Sequence, residues 1–330
     1  MSSVAPRSVE MGGTPPAPAK GPDVLRAAKA LLPAFMLAIL LGAVFWQQPR
    51  AMSYFGINLL FNLAVPIVFA TLAQMMILAV GDLDLSIGPF VSLAATIGAT
   101  LLPADPLLGT AALVAAVGAY ALAGAVIEWR RLPAIVVTLG LSFVWLGCAV
   151  LLLPTPGGRA PAWLVETMAW KAPWVPLPIW VAAGAALLAH LLVARSAFGA
   201  AVRGLGGNAA AMARAGWSLV RLRAAVYAVA GVFGVLAGLM LVGQTTSADA
   251  NIAARYTLVS IAAVILGGGE FVGGRVFAVG AVLGALTMTL AASLLTFLQI
   301  APDWQVGMQG LILVIVLGLR AGLDALGRRR

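Results

Sequence analysis

FGINLLFNLAVPIVFATLAQMMILAVGDLDLSIG, residues 55–88, decides how the whole chain is read. Its first 26 residues carry no charge. At about 1.5 Å rise per residue they form a helix of about 39 Å, enough to cross a hydrocarbon core of about 30 Å. Gly81 and Asp82 then interrupt the run, and a second apolar pattern starts at Leu85. The same ruler, moved outward in both directions, marks spans at 31–47, 55–80, 85–102, 107–127, 133–153, 176–194, 224–244, 256–267, 276–298 and 304–319. The eighth is too short to be a regular crossing. Breaks between spans carry turn chemistry, as in Pro103-Ala104-Asp105-Pro106, Pro154-Thr155-Pro156-Gly157-Gly158 and Gly267-Gly268-Gly269. The expected fold is an all-α integral membrane bundle of about ten transmembrane helices, some broken.

Composition agrees. The 330 residues are 62% apolar and only 9% charged, against about 45–50% and about 25% for a soluble domain. One cysteine, Cys148, excludes an internal disulfide, and one histidine, His190, makes a histidine-built metal or acid–base centre a poor expectation. Residues 1–23 hold five prolines among Ser, Gly and Thr and read as a disordered tail. The run Leu31–Trp46 lacks a small-x-small cleavage site and is followed by many similar runs, so it is a first span and not a signal peptide.

Cytoplasmic loops of membrane proteins hold the excess of Lys and Arg. With the tail inside, the inside segments carry sixteen basic and seven acidic residues, and the outside segments four of each. The whole net charge of +9 is then cytoplasmic. That separation supports an even number of crossings with both termini inside, and it removes the need for nucleic acid to explain a pI near 10.8. The 37 glycines fit close helix approach, where small residues form the contact surface in lipid; Gly280 and Gly284 make a GxxxG, and Gly231, Gly234 and Gly238 line one side of the seventh span. Trp163, Trp170 and Trp174 place the 154–175 loop along the outer membrane surface, with contact to an outside partner as the alternative.

Three segments carry more than composition. In Gly81–Gly88, Asp84 or Ser86 suits the first amides of the next helix; a gating or pathway role stays open beside capping. In 195–223, Asn208 is a good N-cap, Ala209–Ala215 is strong helix former, and Gly216 stands where a left-handed C-terminal residue belongs. This gives a helix of about seven residues with an exposed face of Ala and Met212, either resting on the membrane surface or serving as a knob for a cytoplasmic partner. In Ile261–Gly284, Gly267 to Arg275 interrupts two apolar runs, echoing the Gly81–Gly88 break and suggesting a duplicated architecture.

Gly81–Gly88 resembles the Gly-Gly-Ile-Asp-Leu-Ser-Val-Gly signature of permease subunits of bacterial ATP-binding-cassette sugar importers of the ribose/xylose/galactose type. Three further segments agree in order: Pro133–Gly140 with Thr138-Leu139-Gly140, then Gly206-Gly207-Asn208 to Gly216, then Ile261 through Gly267-Gly268 to Gly273-Gly274-Arg275. The likeness covers roughly residues 50–320. It implies a multi-pass inner-membrane permease of ten helices over 24–330, working as a pair with a second permease subunit, a homodimer being the expectation. A cytoplasmic ATPase that binds ATP and Mg and a periplasmic sugar-binding protein complete the system. No cofactor is expected in this chain, and membrane lipid is its solvent. It implies that Gly207, Asn208, Ala211, Met212, Arg214 and Gly216 belong to the element that couples to the ATPase. Asp82, Asp84, Ser86, Gly88, Gly267, Gly268, Gly273, Gly274 and Arg275 are then family-motif or gating positions. Asp82 departs from the family's Gly, Ala209 from an acid, Leu146 from an Arg, and Thr257-Leu258-Val259 from Glu-Leu-Asp.

Three classes of function compete. A permease borrows its ATPase, and the chain has no GxxxxGK[ST] loop. A secondary transporter is expected to bury charge mid-membrane, and the spans carry none in their central portions. A membrane enzyme needs a convergent acid–base or nucleophile set, for which the lone His190 is insufficient. A permease for a nucleoside or a branched-chain amino acid is the alternative within the favoured class. Asn58, Asn62, Gln74, Thr138 and Ser142 are candidate pathway residues in an alternating-access cycle, with interhelical hydrogen bonds of about 0.6 kcal/mol each as the alternative role.

Overall fold

The computed structural model describes residues 23–301 without Val272, side chains from Leu31 onward, and eight scattered positions between Trp304 and Gly318. Among the described residues up to Phe297, twelve α-helices follow one another: α1 Asp23–Gln47, α2 Tyr54–Asn62, α3 Ala64–Ala79, α4 Ile87–Ala104, α5 Pro106–Arg130, α6 Ala134–Leu152, α7 Ala162–Ala169, α8 Leu177–His190, α9 Ala197–Arg214, α10 Leu219–Thr245, α11 Tyr256–Leu266 and α12 Ala278–Phe297. No strand occurs among the described residues. Seven segments are long and apolar enough to cross a membrane, α2 and α3 counting as one, and 31–47 and α11 are shorter apolar helices. Nine of the ten expected spans therefore coincide with helices; the tenth, the tail and both terminal charge clusters lie largely outside the described residues.

Local chemistry sets the ends. Asp105 accepts from the Leu107 and Leu108 amides at 2.9 and 3.1 Å, and Pro106 opens α5 where no amide partner is needed. Ser196 caps α9 and Ser218 caps α10. α10 is the centre, packed on α5, α3 and α4, while α3, α11 and α12 form the adjoining group and α1 lies on α12. The glycines decide how close these helices come. A Cβ at Gly124 would lie 2.6 Å from the Tyr227 ring, and one at Gly238 would lie 2.7 Å from the Val91 carbonyl. Gly280 and Gly284 face the backbone of Gly267 and Ala263, so the GxxxG is the α11–α12 contact. α6 is the opposite case: Ile135, Val136, Leu139, Phe143, Val144 and Leu151 are exposed, as on a lipid-facing helix. At the far end from Arg130, α7 buries Leu164 under α10 and leaves Trp163, Trp170 and Trp174 exposed.

Candidate functional site: a glycine junction and a buried acid

α3 ends in a left-handed Gly81 at φ +81°, with the Gly81 amide on the Leu78 carbonyl and the Asp82 amide on the Ile77 carbonyl, at 3.0 and 3.3 Å. That is a Schellman stop. α11 stops the same way: Gly268 at φ +100° donates to Ile265 at 3.0 Å and Gly269 donates to Val264 at 2.9 Å. The two breaks share a backbone design, as the duplicated layout suggests.

Beyond these stops the two breaks meet. The Gly274 amide donates to the Ala79 carbonyl at 2.8 Å. A Cβ at Gly273 would lie 2.8 Å from the Gly81 nitrogen, and one at Gly206 would run into Ala79 and Gly274. Gly81, Gly206 and Gly273-Gly274 thus form one backbone junction in which a side chain at Gly206 or Gly273 is a clash, and their sequence separation hides it. The remaining motif joins through Thr138, which accepts from the Leu85 amide at 3.1 Å.

From Gly81 the chain turns back into the bundle. Asp84 and Ser86 have no exposed surface. One Asp84 oxygen accepts from the Ser86 amide and hydroxyl, both at 2.7 Å, and the other accepts from the Tyr120 hydroxyl. Tyr120 stands ten residues before the end of α5, about 15 Å along its axis. Asp84 therefore lies near half the depth of a 30 Å core and not on the inner surface where its loop was expected. The charge pattern alone no longer weighs against ion coupling. Ser86 occupies the N-cap position of α4 without a capping bond of its own. The Gly88 amide instead donates to the Thr257 hydroxyl at 3.0 Å, so the Thr257 departure supplies a helix-end acceptor. In the orientation that satisfies both of its groups, the Gln74 amide binds the backbone N–H and carbonyl of Asp84, at 3.3 and 3.1 Å.

Asp82 has partners as well. Arg223 lies between two acids, its Nη1 3.6 Å from Asp82 and its Nε 3.1 Å from Glu128, and the Tyr227 hydroxyl donates to Asp82 at 3.1 Å. Burial pushes the Asp82 carboxyl up, and the Arg223 guanidinium works against that shift. Replacing the family's Gly with Asp here ties α10 to the first break. The second break is open by contrast: Arg275 and Glu270 approach to 3.5 Å with the Arg275 side chain 79% exposed, and Phe271 is exposed.

α9 is two helices joined at Asn208, which is extended at φ −158° and accepts from the Ala211 amide at 2.9 Å. Gly216 at φ +85° closes the second helix, its amide on Ala213 and the Trp217 amide on Met212, a third Schellman stop. Both caps read from sequence are present. Ala210, Ala211, Ala213, Arg214 and Gly207 are exposed. Met212 is not on that face: it folds back toward Gly204, where a glycine leaves room for its sulfur. Ala209, Ala213 and Arg214 border a groove of about 620 Å³ that Glu128, Arg131 and Arg223 complete.

The five pathway candidates do not come together. Gln74 and Thr138 are buried and hold the first break, Asn58 and Asn62 are half-buried on α2, and the Ser142 hydroxyl donates to Leu139 at 2.6 Å on α6. Tyr120, Tyr227, Glu128 and Arg223 were missed because no short motif contains them. Phe90 and Trp145 pack on Tyr120 with ring centroids 4.5 and 6.3 Å away, fixing its hydroxyl on Asp84.

Residues 56–317 match the family described as branched-chain amino acid transport system / permease component. The galactose/methyl galactoside import permease protein MglC of Haemophilus influenzae is 28% identical over 312 residues, 86% of this chain and 92% of the relative. The ribose import permease protein RbsC of Escherichia coli K12 is 28% identical over 295 residues, 84% and 89%. The autoinducer 2 import system permease protein LsrC of Salmonella typhi is 28% identical over 299 residues, 88% and 84%. No solved structure matches.

Proposed function

The chain belongs to the branched-chain amino acid transport system / permease component family, and on that premise we propose that it is the membrane permease subunit of an ATP-binding-cassette importer for a monosaccharide or related polyol. It is a multi-pass membrane protein and a transport component, not an enzyme. Its termini and the basic end of the bundle face the cytoplasm. A separate cytoplasmic ATPase binds ATP and Mg, a periplasmic binding protein delivers the sugar, and a second permease copy completes the pathway. Two of the three relatives named above carry a sugar in their names, which favours a sugar over the amino acid of the family description.

The observation that carries this reading is the Asn208–Gly216 helix. It is capped at both ends, presents small side chains outward, and stands on the Gly206-Gly207 segment of the junction where both breaks meet. A push on it from a docked ATPase reaches α3 through Ala79 and α12 through Gly274 without crossing soft side chains. A scan of Ala209–Ala215 with Trp and Glu tests it. The expected result is normal membrane insertion with reduced ATPase co-purification and reduced transport. Unchanged complex formation and transport across the whole scan would show that the helix is not the coupling element.

A further inference from the structure

We propose that the cleft between α3, α11 and α12 on the far side of the bundle is a seat for a single sugar ring on its way through this chain, an assignment that rests on the permease reading above. α11 has 11 residues, about 16 Å of helix, roughly half of a 30 Å core. It begins deep. The Thr257 hydroxyl accepts from Gly88, and the Ala253 amide donates to Ser92 at 3.0 Å, both partners lying in the first turns of α4 near the level of Tyr120. Residues 249–255 therefore descend into the bundle as irregular backbone. Such backbone at membrane depth is tolerated where it is buried in protein or lines a water-filled cavity. Ala253 packs against α4, while Arg255 at the bottom is exposed. A charged side chain at this depth faces a cavity.

The cavity is there, with a volume of about 220 Å³, and Arg255, Tyr256, Thr289, Ser293 and Thr296 supply its polar wall. Leu63, Ser293 and Thr296 also line an adjoining cavity of about 700 Å³ whose rim carries Arg50 and Ser53. The three α12 hydroxyls donate to the carbonyls four residues earlier, at 2.9, 3.1 and 3.0 Å. The Thr289 and Ser293 oxygens keep lone pairs to accept with, and Arg255 only donates. A sugar hydroxyl both donates and accepts, so it pairs with each kind of group at once. The space suits one ring with its hydroxyls.

The test uses the full transporter reconstituted in liposomes with its ATPase and binding protein, in a Cys148→Ser background. Uptake of labelled D-ribose and D-galactose is measured. Ser293→Trp fills the cleft and is expected to bring uptake to background. Thr289→Val keeps the shape, removes the hydroxyl and is expected to lower uptake about tenfold, with ATPase co-purification unchanged in both. Uptake within about twofold of the parent in both variants overturns the seat. A parent that imports neither sugar overturns the sugar reading of the permease instead. Independently of substrate, Ser293→Cys should react with a membrane-impermeant thiol reagent added outside while Val144→Cys on the exposed face of α6 does not; an unreactive Ser293→Cys overturns the cleft.

Discussion

The breaks after α3 and after α11 begin alike and end differently. Both open with a glycine at positive φ and the same pair of backbone bonds. After Gly81 the chain turns inward and places Asp84 and Ser86 where no solvent reaches, with Gln74 of α3 bound to the Asp84 backbone. After Gly268 it stays at the basic end, with Arg275 exposed and Glu270 half-buried. One backbone device therefore serves two tasks: the first break is a fixed strut between α3, α4, α5 and α6, and the second is an open segment, anchored through Gly273 and Gly274, next to the Asn208–Gly216 helix. What separates them is the destination of the acid, since a fully buried carboxylate must be matched by donors and a partly exposed one also reaches water.

The largest effect expected from this contrast is at Asp84. Asp84→Ala strips the Tyr120 hydroxyl and the Ser86 amide of their acceptor inside the bundle, at a cost of about 3 kcal/mol or more. It should be seen as a large fall in thermal midpoint in detergent, with Asp84→Asn milder. A midpoint equal to that of Glu270→Ala would mean the two acids are equivalent. Next comes the junction. Gly206→Ala drives a methyl into Ala79 and Gly274 and is expected to cost about 2–3 kcal/mol, whereas Gly207→Ala meets open space and should be close to neutral. Equal effects of the two would dissolve the junction.

Asn208→Ala removes one cap from a six-residue helix, about 0.5–2 kcal/mol. Because that helix is exposed, its readout is ATPase co-purification, with the thermal midpoint moving little. Smallest is Glu270→Ala, about 0.5 kcal/mol or less, as befits an exposed pair. A loss comparable to Asp84→Ala would show that the second break is locked too.

Features carried by local sequence were legible. Uninterrupted apolar runs mark nine helices, the 12-residue run at 256–267 marks the half-length α11, and Asn208 and Gly216 mark both caps. Features made by distant partners were not. Asp84 reads as a surface acid because its neighbours in sequence are a turn, and only Tyr120, 36 residues away, reveals its depth. Asp82 reads as a departure from a family Gly until Arg223 and Tyr227 are seen beside it. Gln74 and Thr138 were noticed as polar groups in apolar helices, but their bonds to Asp84 and Leu85 turn them toward the strut and away from one another's supposed pathway. The outer cleft escaped because Arg255, Thr289 and Ser293 come together from separate elements.

A permease subunit is a conduit worked by a separate motor. Purified chain in liposomes, alone and with its ATPase and binding protein, is assayed for ATP hydrolysis and for ribose and galactose uptake under imposed proton and sodium gradients. No hydrolysis and no uptake are expected from the chain alone under either gradient, and uptake only when ATPase, binding protein and ATP are all present. Robust gradient-driven uptake by the chain alone would contradict it.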